Sequence, residues 1–261
     1  MDMRLESKVV VVTGGAKGIG RATVETFARQ KATAVIVDKD VVAGKALEEQ
    51  LNKLGLKSSF IEADLTANNS CEQVIAEAID RYGRVDVLVN NAGVNDHKGL
   101  DASVEDFLGS LRLNLVHYFE MVKFAADSLR ANRGKIVNIA SKVAQTGQGG
   151  TSGYAAAKGG VLALTREWAL EFANSGVTVN AVVPAEVYTP MYERELQLQP
   201  DPVAAKQAVE SLIPLGNRMT TSEEIANATV FLGSGLADHV TGQFLFVDGG
   251  YTHLDRAYRG N

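Results

Sequence analysis

Cysteine is almost absent. The single residue, Cys71, cannot close an internal disulfide, which fits a reducing compartment. It stands among the polar residues of NNSCEQVIAEAIDRYG, where an amphipathic helix is expected to begin, and a structural place suits it better than a catalytic one. Proline is also scarce: Pro184, Pro190, Pro200, Pro202 and Pro214 are all there is, so no such break occurs in the first 183 residues. No apolar run nears the roughly 20 residues that span a bilayer, and the opening MDMRLESK has neither the apolar stretch nor the cleavage site of a signal peptide. A cytoplasmic location is therefore expected, with no membrane partner. Charge of one sign never accumulates either. The formal net charge of −5, spread along the chain, offers nothing for nucleic acid or an anionic surface to hold. Neither an internal repeat nor a Gly/Ser/Pro linker divides the 261 residues, so one domain spanning 1–261 is expected.

What is abundant is apolar residues, 46% of the chain, in a regular rhythm. Short runs at 8–13, 33–38, 57–64, 85–90, 134–141, 177–183 and 243–248 are rich in β-branched residues and continuously apolar, as strands covered on both faces are. Between them RATVETFARQ, AGKALEEQLNKLG, CEQVIAEAIDRYG, FLGSLRLNLVHYFEMVKFAADSLR, GGVLALTREWALEFANSG and SEEIANATVFLGS carry helical spacing. Strand then helix, repeated about six times, predicts an α/β fold with one doubly wound parallel sheet. The proline cluster interrupts the rhythm late, and residues 184–217 are expected to be an irregular substrate loop or lid over the carboxyl edge of the sheet.

The first strand runs into T13-GGAKGIG-20 and then into a helix. Glycines at Gly14, Gly18 and Gly20 allow a tight turn, a close approach to a pyrophosphate and tight helix packing, while the helix N-terminus supplies amides to the anion. A glycine pattern alone says little, but strand before and helix after is the context a dinucleotide needs. Asp38, ending the second strand, suits the adenosine ribose hydroxyls and repels a 2′-phosphate, which favours NAD; capping of the following turn is the plainer reading. Lys17 and Lys39 both attract a 2′-phosphate, so NADP stays open. Asp64, in EADLT, is placed either to reach the adenine amine or to cap the helix that follows. In N90-NAG-93 small residues let the backbone approach a cofactor, while Asn90 and Asn91 could equally tie neighbouring strand ends together.

Reactive groups converge near the fifth strand. Ser141 ends it in VNIASK, and Tyr154 and Lys158 follow four residues apart in GYAAAKGG, on one face of a helix. A free tyrosine, with a pKa of about 10, is a poor base near neutrality. A neighbouring ammonium and the positive charge of an oxidised nicotinamide lower that value. An inert surface pair of Tyr and Lys is the competing reading, but the small residues around them describe a helix packed closely against a neighbour, and a buried lysine needs a reason.

With TGGAKGIG, Asp38, Asp64, NNAG, Asn114 in LRLNL, Ser141, YAAAK, PAEVYTP and VDGG in that order, the sequence resembles the short-chain dehydrogenase/reductase family along almost its full length. The resemblance implies a single-domain, NAD(P)-binding Rossmann fold with seven parallel strands, usually a homotetramer. It implies catalysis by Asn114, Ser141, Tyr154 and Lys158, with no metal. Tyr154 would be the base in alcohol oxidation and the acid in carbonyl reduction; Ser141 would hold the reacting oxygen; Lys158 would lower the Tyr154 pKa and grip the nicotinamide ribose. Asn114 would hold a water linking Lys158 to solvent. Gly14, Lys17, Gly18, Ile19, Gly20, Asp38, Asp64, Leu65, Asn91, Ala92, Gly93, Val187 and Thr189 would line the cofactor with Tyr154 and Lys158. The family's usual Pro-Gly after the sixth strand is Pro184-Ala185 here, which puts the backbone approach at that point in question.

Within the family, NNAGVND, TGQGGTSGY, LALTREWA, VPAEVYTP, PLGNRMTT and VDGGYTHLDRA are similar to the L-fucose dehydrogenase branch. That implies oxidation of the anomeric C1 hydroxyl of an L-fucose-like aldose to its lactone. A polyol needs buried hydrogen-bonding groups, and Asn95, Gln148, Glu186 and Tyr192 join Ser141 and Tyr154 as candidate sugar contacts. Glu186 could instead form a salt bridge with Arg194 or Arg218, and His97 in DHKG reads as a surface turn. The tail YTHLDRAYRGN is placed to close a pocket, its own or a neighbouring subunit's. Other activities with the same catalytic residues are a 3-oxoacyl thioester (acyl carrier protein) reductase, which calls for NADPH and a basic mouth, and other alcohol or ketone dehydrogenases. A catalytically silent dinucleotide-binding regulator is disfavoured because Ser141, Tyr154 and Lys158 are all present.

Overall fold

A computed structural model describes residues 2–254. Seven strands form one parallel sheet: β1 (Val9–Thr13), β2 (Thr33–Asp38), β3 (Ser58–Glu62), β4 (Val87–Asn90), β5 (Lys135–Ile139), β6 (Thr178–Pro184) and β7 (Phe244–Val247). Their order, β3-β2-β1-β4-β5-β6-β7, is that of a doubly wound Rossmann sheet, with the reversal of winding between β1 and β4. Continuous apolar runs serve two cores at once, because alternate residues of a strand point to opposite faces. Val9 and Val11 of β1 join one core, while Val10 and Val12 join the other.

Helices α1 (Gly18–Arg29), α2 (Val41–Lys53) and α10 (Ser222–Leu232) close the face holding Val10, through Phe27, Leu47 and Ile225. The opposite face is covered by α3 (Ser70–Tyr82), α5 (His117–Asn132) and α7 (Ser152–Glu171), through Val74, Met121 and Val161. Cys71 is buried near the start of α3, and burial pushes its thiol up to about 12, so it packs as an apolar group.

Two expectations change. The long helical pattern before β5 is not one uninterrupted α-helix: α4 (Val104–Leu111) passes through a π-helical turn at Arg112–Val116 into α5. Such wider turns are rare and collect at functional sites; this one carries Asn114. Residues 184–217 are not irregular either, for they contain α8 (Pro190–Gln197) and α9 (Pro202–Glu210). Pro190 and Pro202 open these helices, where a missing N–H costs nothing and a fixed φ helps. Thr189 accepts from Tyr192 N at 3.2 Å and Asp201 from Ala204 N at 3.0 Å, so each proline follows a good cap. The short α6 (Val143–Thr146) lies between β5 and α7.

Candidate active site

The carboxyl ends of β1, β4, β5 and β6 border a cleft of about 470 Å³. One half of it belongs to the glycine turn. Gly14 and Gly18 hold φ of +61° and +53°, and a Cβ on Gly20 would stand 2.0 Å from the Gly14 carbonyl oxygen. Asn91 braces the turn, donating from Nδ2 to the carbonyls of Thr13 and Gly14 at 2.9 and 3.1 Å. No side chain caps the first turn of α1, which leaves its amides able to receive an anion. A turn that admits no Cβ, beneath an uncapped helix N-terminus, fits a dinucleotide pyrophosphate.

Asp38 takes the bracing role and also stands at the cleft. Its carboxylate accepts from Ala16 N and Asp40 N, each at 3.0 Å, tying the glycine turn to β2, and it also lines the cleft. Lys17 lines the cleft too, but its ammonium is drawn into an ion pair with Asp40. Ile19, Asn91, Ala92, Gly93, Val187 and Thr189 are part of the wall. Asn90 lies below it, donating to Asn138 Oδ1 at 3.0 Å to join β4 and β5. Asp64 and Leu65 stand outside the lining: Leu65 is buried, and Asp64 accepts from Thr66 N and Oγ1 at 3.0 and 2.7 Å. The Thr66 hydroxyl holds the Asp64 carboxyl below its usual range. Ala185 keeps a negative φ, so this position needs no glycine for its backbone.

Ser141, Tyr154 and Lys158 meet in the middle of the cleft. Ser141 follows β5, and the other two stand one turn apart on α7, where Gly153 and Gly160 pack without room for a Cβ against Ser110 and Leu115. The Ser141 hydroxyl hydrogen-bonds Tyr154. Burial nevertheless pushes the Tyr154 phenol up to about 12 and Lys158 down to about 7. Burial is thus the largest influence on the Tyr154 phenol in the chain by itself. The Lys158 ammonium points elsewhere: Nζ donates to Ile139 O at 2.8 Å and to Tyr118 Oη at 3.0 Å, and lies 5.7 Å from the Tyr154 ring centre. Asn114 braces the wall: its side-chain amide accepts from Val94 N at 2.8 Å and donates to Ser110 O at 3.1 Å, fastening the π-helical turn to the cleft.

The rest of the cleft mixes polar side chains with apolar ones such as Val143, Pro190 and Met191. Asn95, Gln148, Glu186 and Tyr192 all line it, as does His97, despite its exposed place in a turn. Glu186 pairs with neither Arg194 nor Arg218. Its partner is Lys142, while Arg218 binds Glu224. Tyr118, Lys142 and Tyr251 were not singled out from the sequence. Tyr118 follows Asn114 by four residues, a helical spacing that could have placed it beside Lys158; the other two pair across the fold without a local signal.

A family model described as Enoyl-(Acyl carrier protein) reductase matches residues 14–252. The chain belongs to the short-chain dehydrogenase/reductase family. Among its relatives, the L-fucose dehydrogenase of Bos taurus is 38% identical over 96% of this chain and 91% of its own length. The 3-oxoacyl-[acyl-carrier-protein] reductase of Thermotoga maritima is 36% identical over 95% and 99%. Of solved structures, Cj0485 dehydrogenase is 42% identical with a TM-score of 0.94, covering 100% of both chains. Thermoplasma acidophilum aldohexose dehydrogenase is 30% identical at a TM-score of 0.88, covering 98% of each. As a short-chain dehydrogenase/reductase the protein is an oxidoreductase, and its family uses NAD(P).

Proposed function

We propose that the protein oxidises the anomeric C1 hydroxyl of an L-fucose-like aldopyranose to the lactone, with NAD preferred. The observation that carries this reading is a group of polar side chains, Asn95, Gln148, Glu186 and Tyr192, that line the same cleft as Ser141 and Tyr154. Such a wall suits a polyol and penalises an apolar alcohol, whose arrival would strip these groups of water without replacing their bonds. Relatives that act on L-fucose and on aldohexoses support it. Asp38 at the end of β2, with Lys17 drawn to Asp40, supports NAD over NADP.

The glycine turn, Asp38, Asn91, Ala92, Gly93, Val187 and Thr189 would hold the dinucleotide, with Asp64 and Leu65 flanking its adenine end. A bound nicotinamide supplies the hydride acceptor. Ser141 Oγ positions the C1 oxygen, and Tyr154 Oη takes its proton as C1 becomes a carbonyl carbon. Lys158, shuttling between Tyr118 and the cofactor ribose, would bring positive charge toward the phenolate. Residues 184–217, with α8 and α9, would close over the sugar. A homotetramer in the cytoplasm belongs to this reading, and exposed Val116 at the end of the π-helical turn, Phe119 on α5 and Leu170 on α7 offer apolar surface for subunit contact. No helix among the described residues is long and apolar enough to cross a membrane.

The 3-oxoacyl thioester reductase reading draws on the Thermotoga maritima relative. NADH and NADPH fluorescence over a panel of aldoses, fatty acyl alcohols, 3-oxoacyl thioesters and hydroxysteroids separates the two. The expected result is growth of NADH with L-fucose, lost in Tyr154→Phe while NADH still binds. Response to thioesters alone refutes the sugar reading, and turnover retained by Tyr154→Phe refutes the choice of base.

A further inference from the structure

Lys142 follows Ser141 directly, and its backbone N–H donates to Pro184 O at 2.9 Å, locking the end of β5 to the end of β6. Glu186, two residues beyond Pro184, is fixed as firmly. Its carbonyl accepts from Thr220 N at 2.9 Å, and Tyr188 N donates back to Thr220 O at 2.9 Å. From these two anchored backbones the side chains meet as an ion pair, with only 8% of Lys142 and 13% of Glu186 exposed. Each ion has a second partner. The Tyr251 ring centre lies 4.1 Å from Lys142 Nζ, and Tyr192 hydrogen-bonds the Glu186 carboxylate.

An enclosed ion pair is a poor way to gain stability, since desolvation consumes much of its attraction and an apolar pair of similar volume does as well. Its position suggests what it does instead. Both residues line the cleft beside Ser141 and Gln148. An ionised carboxylate offers about four acceptor sites; Lys142 and Tyr192 engage two, which leaves acceptor capacity for a ligand in the cleft. Cleft hydroxyls are the donors that complete it. A ligand without them would leave the buried carboxylate short of bonds, the condition under which polar sites discriminate most strongly.

We infer that Lys142 is a specificity-determining residue: it holds the Glu186 carboxylate in place to accept hydrogen bonds from ring hydroxyls of an aldose, and so selects sugars that carry them. The inference rests on the sugar reading above and names the part of the cleft that reads the ring. Lys142 does not touch the reacting atoms; it acts through Glu186, and its loss is expected in KM more than in kcat.

The test is steady-state kinetics with NAD on L-fucose and its single-deoxy analogues, for the wild type, Lys142→Met, Lys142→Arg, Glu186→Gln and the double variant Lys142→Met/Glu186→Leu. NADH titration of each reports a folded cofactor site. The wild type should prefer L-fucose to at least one deoxy analogue by roughly tenfold to a hundredfold in kcat/KM. Lys142→Met should raise KM for L-fucose about tenfold or more, leave kcat within a few-fold, and reduce that preference to within about threefold; Lys142→Arg should recover part of it. The double variant, apolar and packed, should fold, bind NADH and not discriminate. Equal loss on every sugar, or an unchanged preference in Lys142→Met or in the double variant, overturns the inference while the sugar reading stands. Failure of the wild type to oxidise any aldose overturns both.

Discussion

Lys158 is buried and Tyr154 half-buried at the cleft, and burial moves them in opposite directions, the ammonium down to about 7 and the phenol up to about 12. Without a cofactor the pair is driven toward neutrality, which keeps two charges from facing each other unsatisfied. His117, beside Tyr118 on α5, belongs to the same buried layer. Burial takes its pKa from 6.5 to about 4, against the opposing hydrogen bond from Nε2 to Leu113 O at 2.9 Å. Between those values the unfolded chain binds a proton that the folded chain refuses, so stability falls as pH falls from 6.5 toward 4, by about 3 kcal/mol. Urea unfolding at pH 7 and pH 4 should show this component in the wild type and lose most of it in His117→Gln; parallel losses in the two proteins would exclude His117 as its source. At this scale Tyr154, Lys158 and Ser141 were legible because helix spacing and a strand end place them from local sequence alone. Lys142 and Glu186 are separated by 44 residues, and their pairing depends on β5 and β6 lying side by side.

Elements with local punctuation were the readable ones. The β2 run at 33–38 agrees with the strand at both ends, since a β-branched stretch is bounded there by a turn on either side. The π-helical turn at Arg112–Val116 left no mark, because one extra residue in a helix barely disturbs an apolar periodicity. The late prolines misled in a definite way: a proline breaks a helix interior but starts a helix when a cap precedes it, as Thr189 and Asp201 do. Glycine is similarly ambiguous until its neighbours are known. A methyl on Gly20 would strike the Gly14 carbonyl at 2.0 Å and Asn91 Nδ2 at 2.7 Å, whereas one on Gly109, within α4, would meet nothing within 4 Å. Gly20→Ala should therefore cost about 1–3 kcal/mol of stability and weaken NADH binding at the displaced turn. Gly109→Ala should gain up to about 1 kcal/mol and leave NADH binding alone. Thermal unfolding and NADH titration of the two variants check both, and equal behaviour would remove the steric account of the turn.

Across the whole molecule, seven parallel strands deliver their carboxyl ends to one edge, so residues as distant as Gly14, Asp38, Asn91, Ser141, Tyr154 and Glu186 share a single cleft. The alternation of strand and helix was enough to foresee the sheet and its cover on both faces, since each follows from one repeated unit. The cluster around Glu186 was legible only in part and not as an arrangement, because Lys142, Tyr192, Glu186 and Tyr251 come from segments that meet only in three dimensions. The part of the tail from residue 255 onward lies outside the described residues; Tyr251, before it, reaches Lys142 and brings the C-terminal segment to the cleft. In the proposed reaction this cleft removes hydride from C1 of an aldose. Incubation with NAD and L-fucose deuterated at C1, followed by mass analysis, tests it directly. Deuterium in the reduced nicotinamide, with an undeuterated lactone as product, is the predicted result; oxidation that leaves deuterium at C1, or no oxidation of any aldose, would contradict it.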